Sequence, residues 1–189
     1  MKLLKIILAG LLALLFLGFV VSILSHDVKT TSKSNATDDT TKKKWDGSYW
    51  VYSSDVDKMT SKTNYEAYVK SDMQLELKFP YDNGENYAYL TTRLKNGKTD
   101  VYLQITKGQL IAATPTNEGA INVRFDDGTP EQFGVAGAAD YSSNIVFINY
   151  ADYFLKKLKK SKRVIIEAAI YDNGNQQMEF ATEGLKWNH

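Results

Sequence analysis

From Ile6 to Leu24 the chain carries no charge, and nearly every position is Leu, Ile, Val, Ala, Phe or Gly. A helix of that length, at about 1.5 Å per residue, reaches roughly 28 Å, close to the ~30 Å hydrocarbon core of a bilayer. The pattern then changes twice. His26 to Lys44 is rich in Thr, Ser, Lys and Asp and has no large apolar residue after Val28. Such a segment buries too little surface to offset its ordering entropy, which predicts a flexible tether. From Trp45 onward apolar and polar residues alternate mostly with period two, the signature of half-buried strands. The expected organisation is a membrane anchor over 1–26, a polar linker over 27–44 and an extracytoplasmic domain over 45–189.

Within that domain the alternation predicts strands at Ser48–Ser53, Asn64–Lys70, Met73–Phe79, Tyr87–Leu94, Asp100–Thr106, Ile121–Phe125, Asn144–Asn149, Arg163–Tyr171 and Gln176–Ala181. Asp82-Asn83-Gly84, Asn96-Gly97, Asp127-Gly128 and Asp172-Asn173-Gly174 supply turn residues that tolerate positive φ. Tyr81-Asp82-Asn83-Gly84 recurs as Tyr171-Asp172-Asn173-Gly174, but the flanking strands differ, so no repeat is implied. Tyr150–Ser161 breaks the rhythm: Ala151, Phe154, Leu155 and Leu158 share one helical face, with lysines mostly opposite. The expected fold is all-β, an antiparallel sandwich or partly open barrel, with this one amphipathic helix covering an edge or open end and a transmembrane helix preceding the domain.

Charge gives the anchor a direction. Lys2 and Lys5 precede the apolar run, which predicts a cytoplasmic N-terminus, a single pass of the cytoplasmic (inner) membrane and an extracytoplasmic domain. The bilayer is thus the partner expected for residues 6–24. A cleaved signal peptide is the competing reading, but its apolar region runs about 7–15 residues and ends in small residues. Here the exit is Val20-Val21-Ser22-Ile23-Leu24, and the chain has no Cys for a lipid anchor. Ala9, Ala13, Gly18 and Ser22 have the small-xxx-small spacing that supports helix dimerisation, a frequent chance occurrence in apolar helices.

Composition then removes most chemistry. Residues 45–189 contain one His, His189, and no Cys, which argues against His-based triads, HExxH sites, thiol catalysis and Cys–zinc centres. No phosphate-cradling Gly loop is present, and no cofactor or metal is expected. Paired carboxylates remain, with Glu66, Glu76, Glu167 and Glu179 as candidates, although acids on one phase of a strand ordinarily form its solvent face. Asp82-Asn83-Gly84 and Asp126-Asp127-Gly128 lack the rest of a calcium loop and read as turns.

Two clusters stand out. The domain holds 16 Lys and Arg against 19 Asp and Glu, and six of the basic residues are Lys156, Lys157, Lys159, Lys160, Lys162 and Arg163. They form either an anion- or partner-binding surface or a helix end complementing its own dipole. Nucleic acid is not an expected partner, since no basic–aromatic platform accompanies the run. Tyr49, Trp50, Tyr52 and Trp187 offer either a sugar-stacking surface or the closing part of the core, and core is the ordinary role.

The blocks Phe79-Pro80-Tyr81, Lys107-Gly108-Gln109, Val123–Gly128, Val146-Phe147-Ile148, Phe154–Lys160 running into Val164–Glu167, and the closing Phe180 and Gly184-Leu185-Lys186-Trp187 resemble, in this order, an uncharacterised family of bacterial anchored or exported β-domains. Some of its members are similar to the TagO/VasI-like accessory proteins of type VI secretion. The resemblance spans about residues 45–187 and implies a non-catalytic envelope domain. Its members often carry a Cys pair after the position of Gln109, which this chain lacks. The functional expectation is a single-pass envelope protein, not an enzyme, whose β-domain binds or helps assemble an envelope protein or polymer. The alternatives are an envelope glycan hydrolase using paired carboxylates and a phage-derived superinfection-exclusion protein.

Overall fold

The structure, a computed structural model, describes residues 49–112 and 119–189. Nine strands are present among them: β1 (Val51–Val56), β2 (Thr63–Lys70), β3 (Ala88–Lys95), β4 (Lys98–Ile105), β5 (Ala120–Phe125), β6 (Glu131–Gly137), β7 (Ile145–Ile148), β8 (Arg163–Ile170) and β9 (Gly174–Ala181). One helix, α1 (Ala151–Leu158), lies between β7 and β8. Every strand pair is antiparallel, in the order β1-β2-β3-β4-β7-β6-β5-β8-β9. The all-β class with one short helix is therefore as the alternation implies. The apolar run at 6–24, its helix dimerisation and the 27–44 tether lie outside the described residues. No helix among the described residues is long and apolar enough to cross a membrane.

The sheet folds over so that its inner faces meet in a sandwich-like core. Ala67, Val69, Leu90, Val101, Leu103 and Ile105 from β2–β4 are buried, as are Val123, Val164, Ile166, Met178 and Phe180 from β5, β8 and β9. Each belongs to one phase of its strand, the geometric consequence of side chains alternating across a pleated sheet. The Asn96-Gly97 turn joins β3 to β4 with both residues at positive φ, 54° and 80°, the backbone that a two-residue hairpin requires.

Two strand assignments are corrected. Met73–Phe79 keeps its alternation only at its centre, where Leu75 and Leu77 are buried and Gln74, Glu76 and Lys78 exposed; Met73 and Phe79, on the same phase as the two leucines, are exposed, and the segment forms no ladder. It lies along the β9 side of the sheet, where Asp72 N donates to Glu179 O at 2.9 Å and Leu75 N donates to Asn86 O. Period two reports burial on one side, which an irregular segment clamped over a sheet edge also satisfies. Conversely, Glu131–Gly137 is a strand whose two glycines dilute the pattern to Phe133 and Val135. Gly134 serves close approach: its carbonyl accepts from Asn149 N, and a Cβ there would stand 2.8 Å from Asn149 Nδ2.

The helix is shorter than its periodic pattern, which spans Tyr150–Ser161. Tyr150 sits at φ 56° as its N-cap, and Ser161 Oγ donates back to Lys157 O at 2.9 Å as the chain leaves it. Phe154, Leu155 and Leu158 are buried, and Phe154 meets Phe125 and Phe133 edge-on at 5.3 and 5.2 Å. Trp50 and Trp187 are 3% and 2% exposed, so these two take the core role, while Tyr49 stays exposed.

Candidate functional site

The sheet registers place a row of side chains across the outer face of β1–β4, β7 and β6: Val51, Tyr68, Thr91, Tyr102, Phe147 and Ala136. Beside it on one flank run Ser53, Glu66, Arg93 and Asp100, and on the other Lys70, Tyr89, Gln104 and Ile145. Three consecutive strands thus turn a tyrosine away from the core. Thr91 and Tyr102 are buried even though they face outward, at 3% and 7% exposure. Half-buried Tyr68, Tyr89, Glu66 and Gln104 stand around them and enclose a depression of about 420 Å³. That volume lies within the range of small-molecule and ligand clefts.

At its floor, the Tyr102 hydroxyl donates to Glu66 Oε2 at 2.9 Å. Burial, and then the bond and charge of Glu66, push the Tyr102 phenol up to about 12. Tyr102 is therefore a fixed neutral donor at physiological pH. Arg93 lies 5.3 Å from the Tyr102 ring and 5.5 Å from Phe147, and its guanidinium pairs with Asp100 at 3.0 Å. Asp100 also takes Lys98 at 3.3 Å, so the charges on this flank cancel locally. The Tyr68 and Tyr89 rings meet edge-on, 5.9 Å apart at 72°. Among the described residues, the Tyr68 and Tyr89 hydroxyls and the Gln104 amide have no side-chain hydrogen-bond partner.

The outer face of β5, β8 and β9 is different. Glu167 accepts from Gln177 at 2.9 Å and from Asn122 at 3.1 Å, and those bonds hold its carboxyl below the usual range. Arg163 reaches Glu179 at 3.1 Å. These polar groups satisfy one another and leave little directed hydrogen-bonding capacity for a ligand.

The four acids considered for hydrolysis do not gather at one site, and the two that are diagonal neighbours across β8–β9, Glu167 and Glu179, are each held by other partners. Glu66 borders the tyrosine depression, Glu167 and Glu179 belong to the satisfied face, and Glu76 is exposed in the 71–80 segment. Another pair, Asp100 and Asp152, lines a wide cleft of about 950 Å³ between the start of β4, β6–β7 and the first turn of α1. Asp126 Oδ1 accepts from Lys162 N and Arg163 N at 2.8 and 3.0 Å, which makes Asp126-Asp127-Gly128 a turn anchored to β8. No group of three or more potential metal ligands occurs among the described residues.

The basic cluster divides in two. Lys157 pairs with Glu131 and points at the Phe125 and Tyr153 rings, and the Tyr153 hydroxyl donates to the same carboxylate at 3.1 Å. The Glu131 bond raises the Lys157 ammonium, and the same bond lowers the Glu131 carboxyl. Lys162 meets Glu183 at 3.6 Å, and Arg163 meets Asp127 as well as Glu179. Lys156, Lys159 and Lys160 are exposed and make no ion pair among the described residues. Half of the cluster therefore fastens α1 and β8, and three lysines remain for solvent or an anion.

The tyrosine face is the feature that residue-type reasoning missed. Its signal was present in the alternation: Tyr68 lies between Ala67 and Val69, Tyr102 between Val101 and Leu103, and Tyr89 between Ala88 and Leu90. A tyrosine on the polar phase of three strands marks an aromatic outer surface only once those strands are known to be neighbours in register.

The chain matches no protein-family model and, at a significant level, no curated protein. Among solved structures, the crystal structure of invasion associated protein b from Bartonella henselae is similar over 72% of this chain and 85% of that one, with 13% sequence identity and a TM-score of 0.43.

Proposed function

We propose that this chain is a membrane-anchored envelope protein whose β-domain is a non-catalytic binding module, with the tyrosine-lined depression as its contact surface. One observation carries the reading: aromatic faces and unsatisfied polar groups converge there, whereas the opposite outer face pairs its polar groups internally. Buried outward-facing residues flanked by half-exposed rings are the usual make-up of a binding surface with an apolar centre and polar rim. The apolar run at 6–24 and the lysines before it support display outside the cytoplasmic membrane.

The test is site-specific photo-crosslinking in cells from the exposed rim position Lys70, with Tyr68→Ala and Tyr89→Ala as controls. The expected result is one dominant envelope adduct that disappears in either tyrosine variant. An adduct pattern indifferent to both tyrosines would overturn the assignment of this face. Protease added to intact spheroplasts should digest the domain, and a protected domain would overturn the topology. Glycan hydrolysis is the second reading, resting on Asp100 and Asp152 in the wide cleft. It requires turnover of purified cell-wall glycan that Asp152→Asn abolishes.

A further inference from the structure

We infer that the depression on β2–β4 binds an uncharged saccharide chain, an inference that rests on the proposed binding role of this face. The lining has the two components sugar recognition needs. The rings of Tyr68 and Tyr89 are half-exposed at its wall and can receive the C–H face of a pyranose. The edges of a sugar carry hydroxyls that both donate and accept. Around the same rings stand groups of both kinds: the tyrosine hydroxyls, the Gln104 amide, and the Glu66 oxygen that Tyr102 leaves free. These groups have fixed positions because they project from three neighbouring strands of one sheet, so the hydrogen-bonding edge is preorganised.

Charge decides against the other envelope polymers. Arg93 is spent on Asp100, and Lys70 lies over the Tyr87 ring at 3.9 Å, outside the depression lining. The only ionisable carboxylate in the lining is Glu66, which repels phosphate and carboxylate ligands. The unpaired lysines of the helix end, where an anionic polymer would be drawn, belong to a different part of the surface. A long apolar peptide is disfavoured because half the lining is polar and would lose water without replacement bonds. An uncharged sugar satisfies both halves. The larger cleft adjoins the site through Phe147, next to Tyr102 in the row, and gives an extended chain a path off the first subsite.

The experiment is calorimetric titration of the purified full-length chain in lipid nanodiscs with the N-acetylglucosamine tetrasaccharide, and with poly(glycerol phosphate) as the anionic probe. The expected result is saturable binding of the tetrasaccharide, weakened about tenfold or more by Tyr89→Ala. Tyr68→Phe, which keeps the ring and loses the hydroxyl, should weaken it less than Tyr68→Ala. Because no ion pair is involved, affinity should hardly change when salt rises from about 0.05 to about 0.5 M. Near-ultraviolet circular dichroism establishes that each variant is folded. Binding of the phosphate polymer alone, lost in a Lys156, Lys159 and Lys160 triple Gln variant, would overturn the inference. Absence of saccharide binding while the Lys70 adduct still depends on Tyr89 would also overturn it, and would leave the binding module with a protein partner. Loss of both signals would remove the module reading as well.

Discussion

Tyr102 is the buried floor of the candidate surface: its ring is covered on the outer face, where its hydroxyl meets a carboxylate. Replacing it by Phe removes the donor to Glu66 without changing the packing volume. Hydrogen bonds to charged groups contribute about 1.5–3 kcal/mol when partly buried. Tyr102→Phe should therefore lower stability by ~1–2 kcal/mol in urea unfolding near neutral pH. The pH dependence has a definite sign. The phenol ionises near 10 in the unfolded chain and near 12 in the folded one, so the unfolded state releases its proton first. Stability tied to Tyr102 is complete below pH ~10 and is lost as pH rises towards ~12. The gap between the native chain and Tyr102→Phe should accordingly narrow between about pH 10 and about pH 12, and a constant gap would show that burial and Glu66 do not hold the phenol above its ordinary value. Of this geometry only the outward phase of Tyr102 was legible in the sequence. The partnership with Glu66 spans two strand pairings, and register is a tertiary fact.

Helix α1 shows where pattern is a good guide and where it is not. Its apolar face was legible residue by residue, since Phe154, Leu155 and Leu158 are the buried positions. Its length and charge were not. The pattern ran to Ser161, but Ser161 back-bonds to Lys157 O, and the next residues are drawn into β8 by Asp126. The lysines looked uniform in sequence, yet tertiary neighbours separate Lys157 from Lys156, Lys159 and Lys160. Phe154→Ala should cost about 3–5 kcal/mol, as aromatic deletions in a packed core do. The Lys156, Lys159 and Lys160 triple Gln variant should leave the unfolding midpoint within about 0.5 kcal/mol of the native value. Lys157→Gln should destabilise only slightly at neutral pH, because the pair with Glu131 is solvent-screened. That difference should vanish in acid: the folded-state Glu131 carboxyl titrates below its ordinary value, and the pair's contribution is lost as pH falls through it. The missed β6 and the over-read 73–79 segment have one cause. Alternation measures burial of a face, whereas a ladder depends on what lies alongside.

The two ends of the nine-stranded sheet are tied by contacts no local pattern announces. Trp50 Nε1 donates to Thr182 O at 2.9 Å, Lys186 N donates to the Tyr52 hydroxyl at 2.8 Å, and Asp72 N donates to Glu179 O at 2.9 Å. Trp187 is buried in the same core cluster as Trp50, and His189 stacks on Tyr65 at 3.8 Å. Residues 182–189, polar and short of regular structure, thus close the sandwich between β9 and β1–β2, although such segments ordinarily fray. Without disulfides, the described domain depends on this seam and its core to resist opening. If the seam is part of the cooperative unit, Trp187→Ala should lower global stability by about 3–5 kcal/mol with an unchanged urea m-value. Fluorescence of the remaining tryptophans, Trp45 and Trp50, and circular dichroism of the strands should then shift together. If the seam were a local flap, hydrogen exchange would rise only in β1 and around 182–189, while the β3–β4 hairpin kept its protection. The first outcome has a consequence for binding. β2 contributes Tyr68 and Glu66 to the outer face and Tyr65, Ala67 and Val69 to the seam side of the core, so the same strand that closes the molecule sets the spacing of the tyrosines. Trp187→Ala should therefore weaken ligand capture at Tyr68 even at temperatures where the fold persists, whereas Phe154→Ala, in the helix packed on Phe125 of β5 and Phe133 of β6, should leave capture by the folded fraction unchanged.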